Sequence, residues 1–213
     1  MGKIRIKQKL SEVYRYFRPF SLNGQNNILK VLSKKEGRLR VTVYGKNNSI
    51  LIDRNVYLLD VNISIYGDNN TVQISSDCRL YNLNLRIHGK DSALFIGENV
   101  GVREADIIIM EGRKVTIGND CMLSYGIHIR TSDSHKIFDK STGIRVNEAK
   151  DVVIGHHCWI AQNVTLLKGA DIGDSSIVGY GSVCSHSYPE HCIIVGIPGQ
   201  IIKDNIDWSR RLD

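Results

Sequence analysis

From Ile154 onward, a branched or compact apolar residue returns at every sixth position: Ile154, Ile160, Leu166, Ile172, Val178 and Cys184. Four places after each of the first five comes a small or compact one, namely Cys158, Val164, Ala170, Ser176 and Ser182. Gly155, Ala161, Gly173 and Gly179 follow directly behind four of the leading positions. Neither the 3.6-residue helical period nor the two-residue strand period produces a repeat of six. Short strands joined by tight corners do produce it, because one side of each strand then points inward at a fixed phase. Only small residues fit where a corner crowds the core, and glycine suits corners with φ > 0. The pattern predicts a parallel β-helix, a solenoid built from sequence repeats.

A longer repeat precedes it. Gly45-Lys-Asn-Asn-Ser-Ile-Leu-Ile, Gly67-Asp-Asn-Asn-Thr-Val-Gln-Ile and Gly89-Lys-Asp-Ser-Ala-Leu-Phe-Ile are copies, and Gly112-Arg-Lys-Val-Thr-Ile is a shortened fourth. Alternating runs between them, such as Leu58–Tyr66, Leu80–His88 and Ala105–Met110, predict strands. Each unit is expected to be one widened coil with Gly-Asn-Asn or Gly-Lys-Asp as its turn; sugar contacts are the alternative role for Asn69 and Asn70. The hexads resume at Ile117, Leu123 and Ile129, then break off over 131–151, a polar stretch containing Asp133 and His135. Loops of about 20 residues between regular elements are uncommon and tend to be functional.

The pattern divides the chain into an N-terminal arm (1–24), a parallel β-helix (25–198) with an active-site loop at 131–151, and a C-terminal helix (199–213). Within the arm, residues 7–18 are expected to be an amphipathic helix with Leu10, Val13, Tyr14 and Phe17 on one face, stopped by Pro19. Its other face is basic. It either packs across the first coil or makes a peripheral contact with an anionic membrane or polymer. The C-terminal helix would pack through Ile201, Ile202, Ile206 and Trp208.

A chain of 213 residues suffices for one domain, and a solenoid lengthens without needing a second. The formal net charge of +6 favours anionic partners such as an acidic polysaccharide, phosphate or a membrane surface. No nucleic-acid-binding motif is present. Five cysteines without a pairing pattern indicate a reducing compartment, and Cys121, Cys158 and Cys184 fall on inward positions as small core residues. No run of apolar residues is long enough to span a bilayer, so the expected location is cytoplasmic.

The segment from Cys158-Trp-Ile-Ala-Gln-Asn-Val-Thr-Leu-Leu-Lys-Gly-Ala-Asp-Ile-Gly-Asp, with Ile-Val-Gly-Tyr-Gly-Ser-Val and Ile-Val-Gly-Ile-Pro-Gly-Gln-Ile-Ile-Lys203, resembles the hexapeptide-repeat acyltransferases. Within that superfamily, Ile117-Gly-Asn-Asp-Cys-Met-Leu, Arg130-Thr-Ser-Asp-Ser-His135 and the Asn205-Ile-Asp-Trp tail look most like bacterial capsular polysaccharide O-acetyltransferases, including those acting on sialic-acid polymers. The match covers about residues 112–210. It implies an all-β, left-handed parallel β-helix, a homotrimer, acetyl-CoA as co-substrate, a surface-glycan acceptor (an acidic capsule or lipopolysaccharide) and no metal.

Moving an acetyl group from a thioester to a sugar hydroxyl needs a base for the hydroxyl proton and a donor for the developing oxyanion. Histidine suits the first task near neutral pH. Among seven histidines, His135 stands alone on the interrupting loop, and the resemblance places the family's catalytic histidine there. Asp133 is a candidate orienter of its ring. Trp159 lies at the interval the family keeps between histidine and tryptophan, which makes it a platform for a sugar ring or thioester; a packing residue at a subunit contact is the alternative. Three hexads make one coil, so Gln162 and Tyr180 stack on one corner. A pantetheine arm could run up that edge along amides flanked by Ala161, Gly179 and Gly181. The resemblance makes the Gln162 amide the oxyanion donor and sets Ser185 and Lys203 near the nucleotide end. Gln200 replaces an arginine common in relatives, so part of the phosphate clamp is missing. The competing readings are a small-molecule acetyltransferase, a zinc-type β-helix protein using His128, His156 and His157, and a scaffold without catalysis.

Overall fold

In the computed structural model, residues 20–33 and 37–211 are described, and the helix expected at 7–18 lies outside them. The chain winds as a parallel β-helix of three eight-stranded sheets, each coil passing from the first sheet to the second to the third. The first sheet runs from Phe20–Asn23 to Val183–Cys184, the second from Ile28–Val31 to Ser187–Tyr188, and the third from Tyr57–Leu59 to Gln200–Lys203. All pairings between coils are parallel except the last, where Gln200–Lys203 lies antiparallel against Ile193–Val195.

The inward phase is as the hexads predict. Ile154, Ile160, Leu166, Ile172, Val178 and Cys184 are fully buried, and so are Cys158, Val164, Ala170, Ser176 and Ser182 at the corners. The core is a column in which each coil stacks like on like, with Ile160 on Val178 and Leu166 on Cys184. Gly118 and Gly155 stack where coils touch at a corner: a Cβ on Gly118 would sit 2.4 Å from the Gly155 carbonyl oxygen, so no side chain fits there. All five cysteines are free and buried.

The widened coils carry an internal asparagine ladder. Asn48 and Asn70 are buried, and Asn70 Nδ2 donates to Asn48 Oδ1 and to the Gly89 carbonyl, both at 3.0 Å. Asn70 Oδ1 accepts from the Ser92 amide at 2.9 Å. Asn69 holds a left-handed conformation and hydrogen-bonds to Asn47 and Asp91, as asparagine readily does at turns. These residues are turn and core groups. The fourth unit is shorter, as its sequence indicates: Ala93 pairs with Lys114, which leaves Gly112 out of register with Gly89.

The expected C-terminal helix is replaced by a strand and an extended strap; no helix occurs among the described residues. The reason is the open edge of the last coil. Ile193–Val195 presents backbone groups that need partners, and Gln200–Lys203 turns back to supply them. Beyond it the chain descends the corner between the second and third sheets. Ile206 exchanges hydrogen bonds with His191, Trp208 Nε1 donates to the His157 carbonyl at 2.6 Å, and Arg210 Nη2 donates to the Asn99 and Cys121 carbonyls at 3.0 Å each.

Candidate active site

The loop over 131–151 leaves the chain at the corner between the first and second sheets, after strand Ile127–Arg130. It is pinned from the coils below and above. From below, Glu111 takes a bidentate pair from Arg145 (2.6 and 3.0 Å) and a hydrogen bond from Ser132 Oγ at 2.5 Å. From above, Lys168 pairs with Asp133. The centre of the loop is Asn147, only 7% exposed. Its Nδ2 donates to Asp133 Oδ2 and to the His135 carbonyl at 2.8 Å each, and its Oδ1 accepts from the Ile137 amide at 2.7 Å. The Asp139 carboxylate closes the tip over Ser141 and Thr142.

The carboxylates that pin the loop are stabilised as anions. The Arg145 guanidinium first, and Ser132 second, hold Glu111 down to about 2. Lys168 first, then Asn147, lower Asp133. Both of these bonds fall on Asp133 Oδ2, and no hydrogen bond joins Asp133 to the His135 ring among the described residues. The ring itself is exposed and makes no hydrogen bond among the described residues. What fixes its position is backbone: the His135 carbonyl on Asn147.

The other expected residues sit elsewhere on the triangle. Gln162 and Tyr180 stack at the corner between the third and first sheets, where Gly181 N donates to the Gln162 carbonyl at 3.0 Å. The Ala161, Gly179 and Gly181 amides are used in the ladder, whereas the Gln162 and Tyr180 amides between them donate to nothing among the described residues. Tyr180 is 69% exposed with its hydroxyl held by Asn163 Nδ2, and a Cβ on Gly181 would meet nothing within 4 Å. This is an open edge with unused donors. Ser185 follows strand Val183–Cys184 at the loop's corner, and Lys203 pairs with Ile193 in the third sheet. The single chain does not gather the residues expected for the nucleotide end with the Gln162 edge. Nor does it join His135 to Trp159, which points outward from the third sheet in strand Trp159–Ile160.

Sequence reasoning missed Asn147, Lys168, Glu111 and Arg145. Nothing local marks them, since each reaches the loop only through coil stacking or loop closure.

His128, His156 and His157 do not converge. His156 Nδ1 accepts from the Asn119 amide at 3.0 Å, while His157 bridges Asp120 Oδ2 (2.5 Å) and the Trp208 carbonyl (2.9 Å) and stacks on the Trp208 ring. Among the described residues no group of three or more His, Cys, Asp and Glu is placed to hold a metal ion. Burial opposes charging the His157 ring, but the Trp208 carbonyl, Asp120 and Asp207 outweigh it and the net effect raises its pKa. Both nitrogens face acceptors, so only the protonated ring satisfies both.

Residues 151–186 match the model of the bacterial transferase hexapeptide family (six repeats). The chain is 37% identical over 195 residues to the polysialic acid O-acetyltransferase of Neisseria meningitidis, covering 91% of this chain and 90% of that protein. It is 33% identical to the polysialic acid O-acetyltransferase of Escherichia coli O1:K1 over 56% of this chain and 39% of that longer protein. Among solved structures, that of the polysialic acid O-acetyltransferase OatWY superposes with a TM-score of 0.85 at 35% identity, covering 91% of this chain and 92% of that one. The polySia-specific acetyltransferase NeuO superposes at 0.80 with 33% identity, covering 91% and 82%. The fold matches the left-handed β-helix acetyltransferases.

Proposed function

Since the chain belongs to the hexapeptide-repeat transferases, in the branch of the polysialic acid O-acetyltransferases, we propose that it moves an acetyl group from acetyl-CoA to a hydroxyl of an acidic surface polysaccharide, with His135 as general base. The observation that carries this reading is the His135 loop. Its ring is exposed and unengaged while its backbone is clamped by Asn147, an arrangement that spends rigidity on a side chain with no structural use of its own.

In this reaction acetyl-CoA supplies the activated acyl group as a thioester lying along the Gln162–Tyr180 edge. The His135 imidazole takes the proton of the acceptor hydroxyl as its oxygen attacks, and that proton departs with the thiol. The unused Gln162 amide is the donor for the oxyanion, a contribution of about 3–4 kcal/mol in comparable sites. No covalent enzyme intermediate and no metal are required. Lys168, Asp133 and Asn147 hold the loop and touch no reacting atom.

Because His135 and the Gln162 edge occupy different corners of one protomer, a second copy must bring them together. A homotrimer does so at three equivalent clefts. The loop's own surface supports it: Ile137, Phe138, Ile144 and Val146 are each more than half exposed in the isolated chain, an apolar patch suited to a subunit contact. We place the reaction in the cytoplasm, where acetyl-CoA is made.

Steady-state kinetics of His135→Ala test the assignment. Loss of a general base lowers kcat by about 10²–10⁴. A variant that keeps more than about a tenth of wild-type kcat with unchanged acetyl-CoA affinity removes His135 from the mechanism.

A further inference from the structure

The outer face of the third sheet carries a groove of about 370 Å³ that the reaction scheme above does not use. It is deepest at Gly101. Along one outward column the register partners are Arg79, Gly101, Met122 and Trp159, and Gly101 is the gap in that column. The backbone does not require glycine there: its φ lies outside the left-handed region, and a Cβ would meet only Arg210 Nη1, at 3.8 Å. What glycine provides at this position is space.

The walls are cationic and aromatic. Arg79 and Arg103 make no ion pair among the described residues, and Arg103 lies 5.0 Å from the centre of the Tyr81 ring. Arg210 is fixed by the Asn99 and Cys121 carbonyls and by Asp120 at 3.1 Å, which leaves Nη1 over the floor. Tyr125 and Trp159 close the upper end. The lining sets three guanidinium groups against one carboxylate, Asp77, and Asp120, which holds Arg210, lies outside it. Unpaired guanidinium groups beside aromatic faces suit a ligand with repeated carboxylates on apolar-faced rings. From Arg79 to Trp159 the groove crosses three strand spacings, about 14 Å, which exceeds one sugar ring. Tyr125 stands one coil below Gln162, so the groove ends beside the proposed acyl edge.

We propose that this groove seats the acidic glycan acceptor, with Arg79 and Arg103 taking sugar carboxylates and Trp159 and Tyr125 carrying the ring next to the acylation point. The inference rests on the reading of the chain as a glycan O-acetyltransferase and assigns the acceptor's place.

The test titrates the full-length protein with an oligomer of sialic acid, with the same oligomer carrying its carboxyls as amides, and with coenzyme A. The variants are the double substitution Arg79→Gln/Arg103→Gln, which alters exposed side chains only, and Gly101→Leu, which fills the floor. Each is expected to weaken oligomer binding about tenfold or more and to leave coenzyme A affinity unchanged; the wild type should discriminate against the amidated oligomer to a similar degree. Coenzyme A binding reports that the coils are intact, and the double variant decides the matter if Gly101→Leu fails to fold. Unaltered oligomer affinity in the double variant, or equal wild-type affinity for charged and amidated oligomers, overturns the proposal. A wild type that acetylates a neutral glycan and does not bind the oligomer also overturns it while leaving O-acetyl transfer standing. A wild type that acetylates no glycan ends both.

Discussion

Replacing Asn147 by alanine should loosen the loop that carries His135 without touching the solenoid. The side chain makes three well-formed bonds to the segment that carries His135: two at 2.8 Å, to Asp133 and to the His135 carbonyl, and one at 2.7 Å from the Ile137 amide. At about 1 kcal/mol net for each, the substitution shifts the loop by about 3 kcal/mol toward open conformations. Every 1.4 kcal/mol is a factor of ten, so the upper bound is about a hundredfold. The remaining anchors, Arg145 on Glu111 and Lys168 on Asp133, hold part of the structure, which puts the expected fall in kcat/KM between about ten- and a hundredfold. The assay is steady-state acetyl transfer alongside thermal unfolding and a binding titration with coenzyme A. Both of the latter should stay near wild type, because Asn147 touches no inward hexad position. If Asn147→Ala retains wild-type kcat/KM, the clamp on His135 has no catalytic purpose and the reasoning fails.

Acidification should release the same loop. Glu111 has a folded pKa of about 2 against an ordinary 4.5, so its stabilising contribution is complete above the ordinary value and lost as pH falls toward 2. Hydrogen exchange across 131–151 should accelerate over that window in the wild type and show a smaller change in Glu111→Gln, where the loop is already loosened at neutral pH; identical profiles would contradict the assignment. In the scaffold, Asn70→Ala removes three side-chain hydrogen bonds from a fully buried site and leaves the Gly89 carbonyl and Ser92 amide unsatisfied. Urea unfolding at fixed protein concentration should show a loss of about 2–4 kcal/mol, and a loss below about 0.5 kcal/mol would mean the ladder is dispensable.

The solenoid was legible because each coil repeats one environment: a residue at the phase of Ile160 or Leu166 meets the same surroundings wherever it occurs, and the six-residue spacing reports it directly. The interruption after Arg130 was legible for the same reason, as a break in an otherwise constant pattern. The C-terminal segment was not. Ile201, Ile202, Ile206 and Trp208 have a spacing that suits a helix, yet the exposed backbone of Ile193–Val195 offers a better partner than any apolar surface does, and the four residues of Gln200–Lys203 are all exposed. The loop's supports were also hidden. Asp133 precedes His135 by two residues and looks like its partner, but stacking delivers Lys168 from the next coil to that carboxylate, and nothing in the local sequence announces it. The groove over Gly101 was equally silent, since its Arg, Tyr and Trp residues come from four coils and the strap.

Mass spectrometry of polysialic acid incubated with the protein and isotopically labelled acetyl-CoA tests the central claim most directly. The account predicts labelled, base-labile acetyl esters on the polymer with wild-type protein and at most trace labelling with His135→Ala under the same conditions. Equal labelling by both proteins, or none by the wild type on polysialic acid or any other acidic polysaccharide, would contradict it.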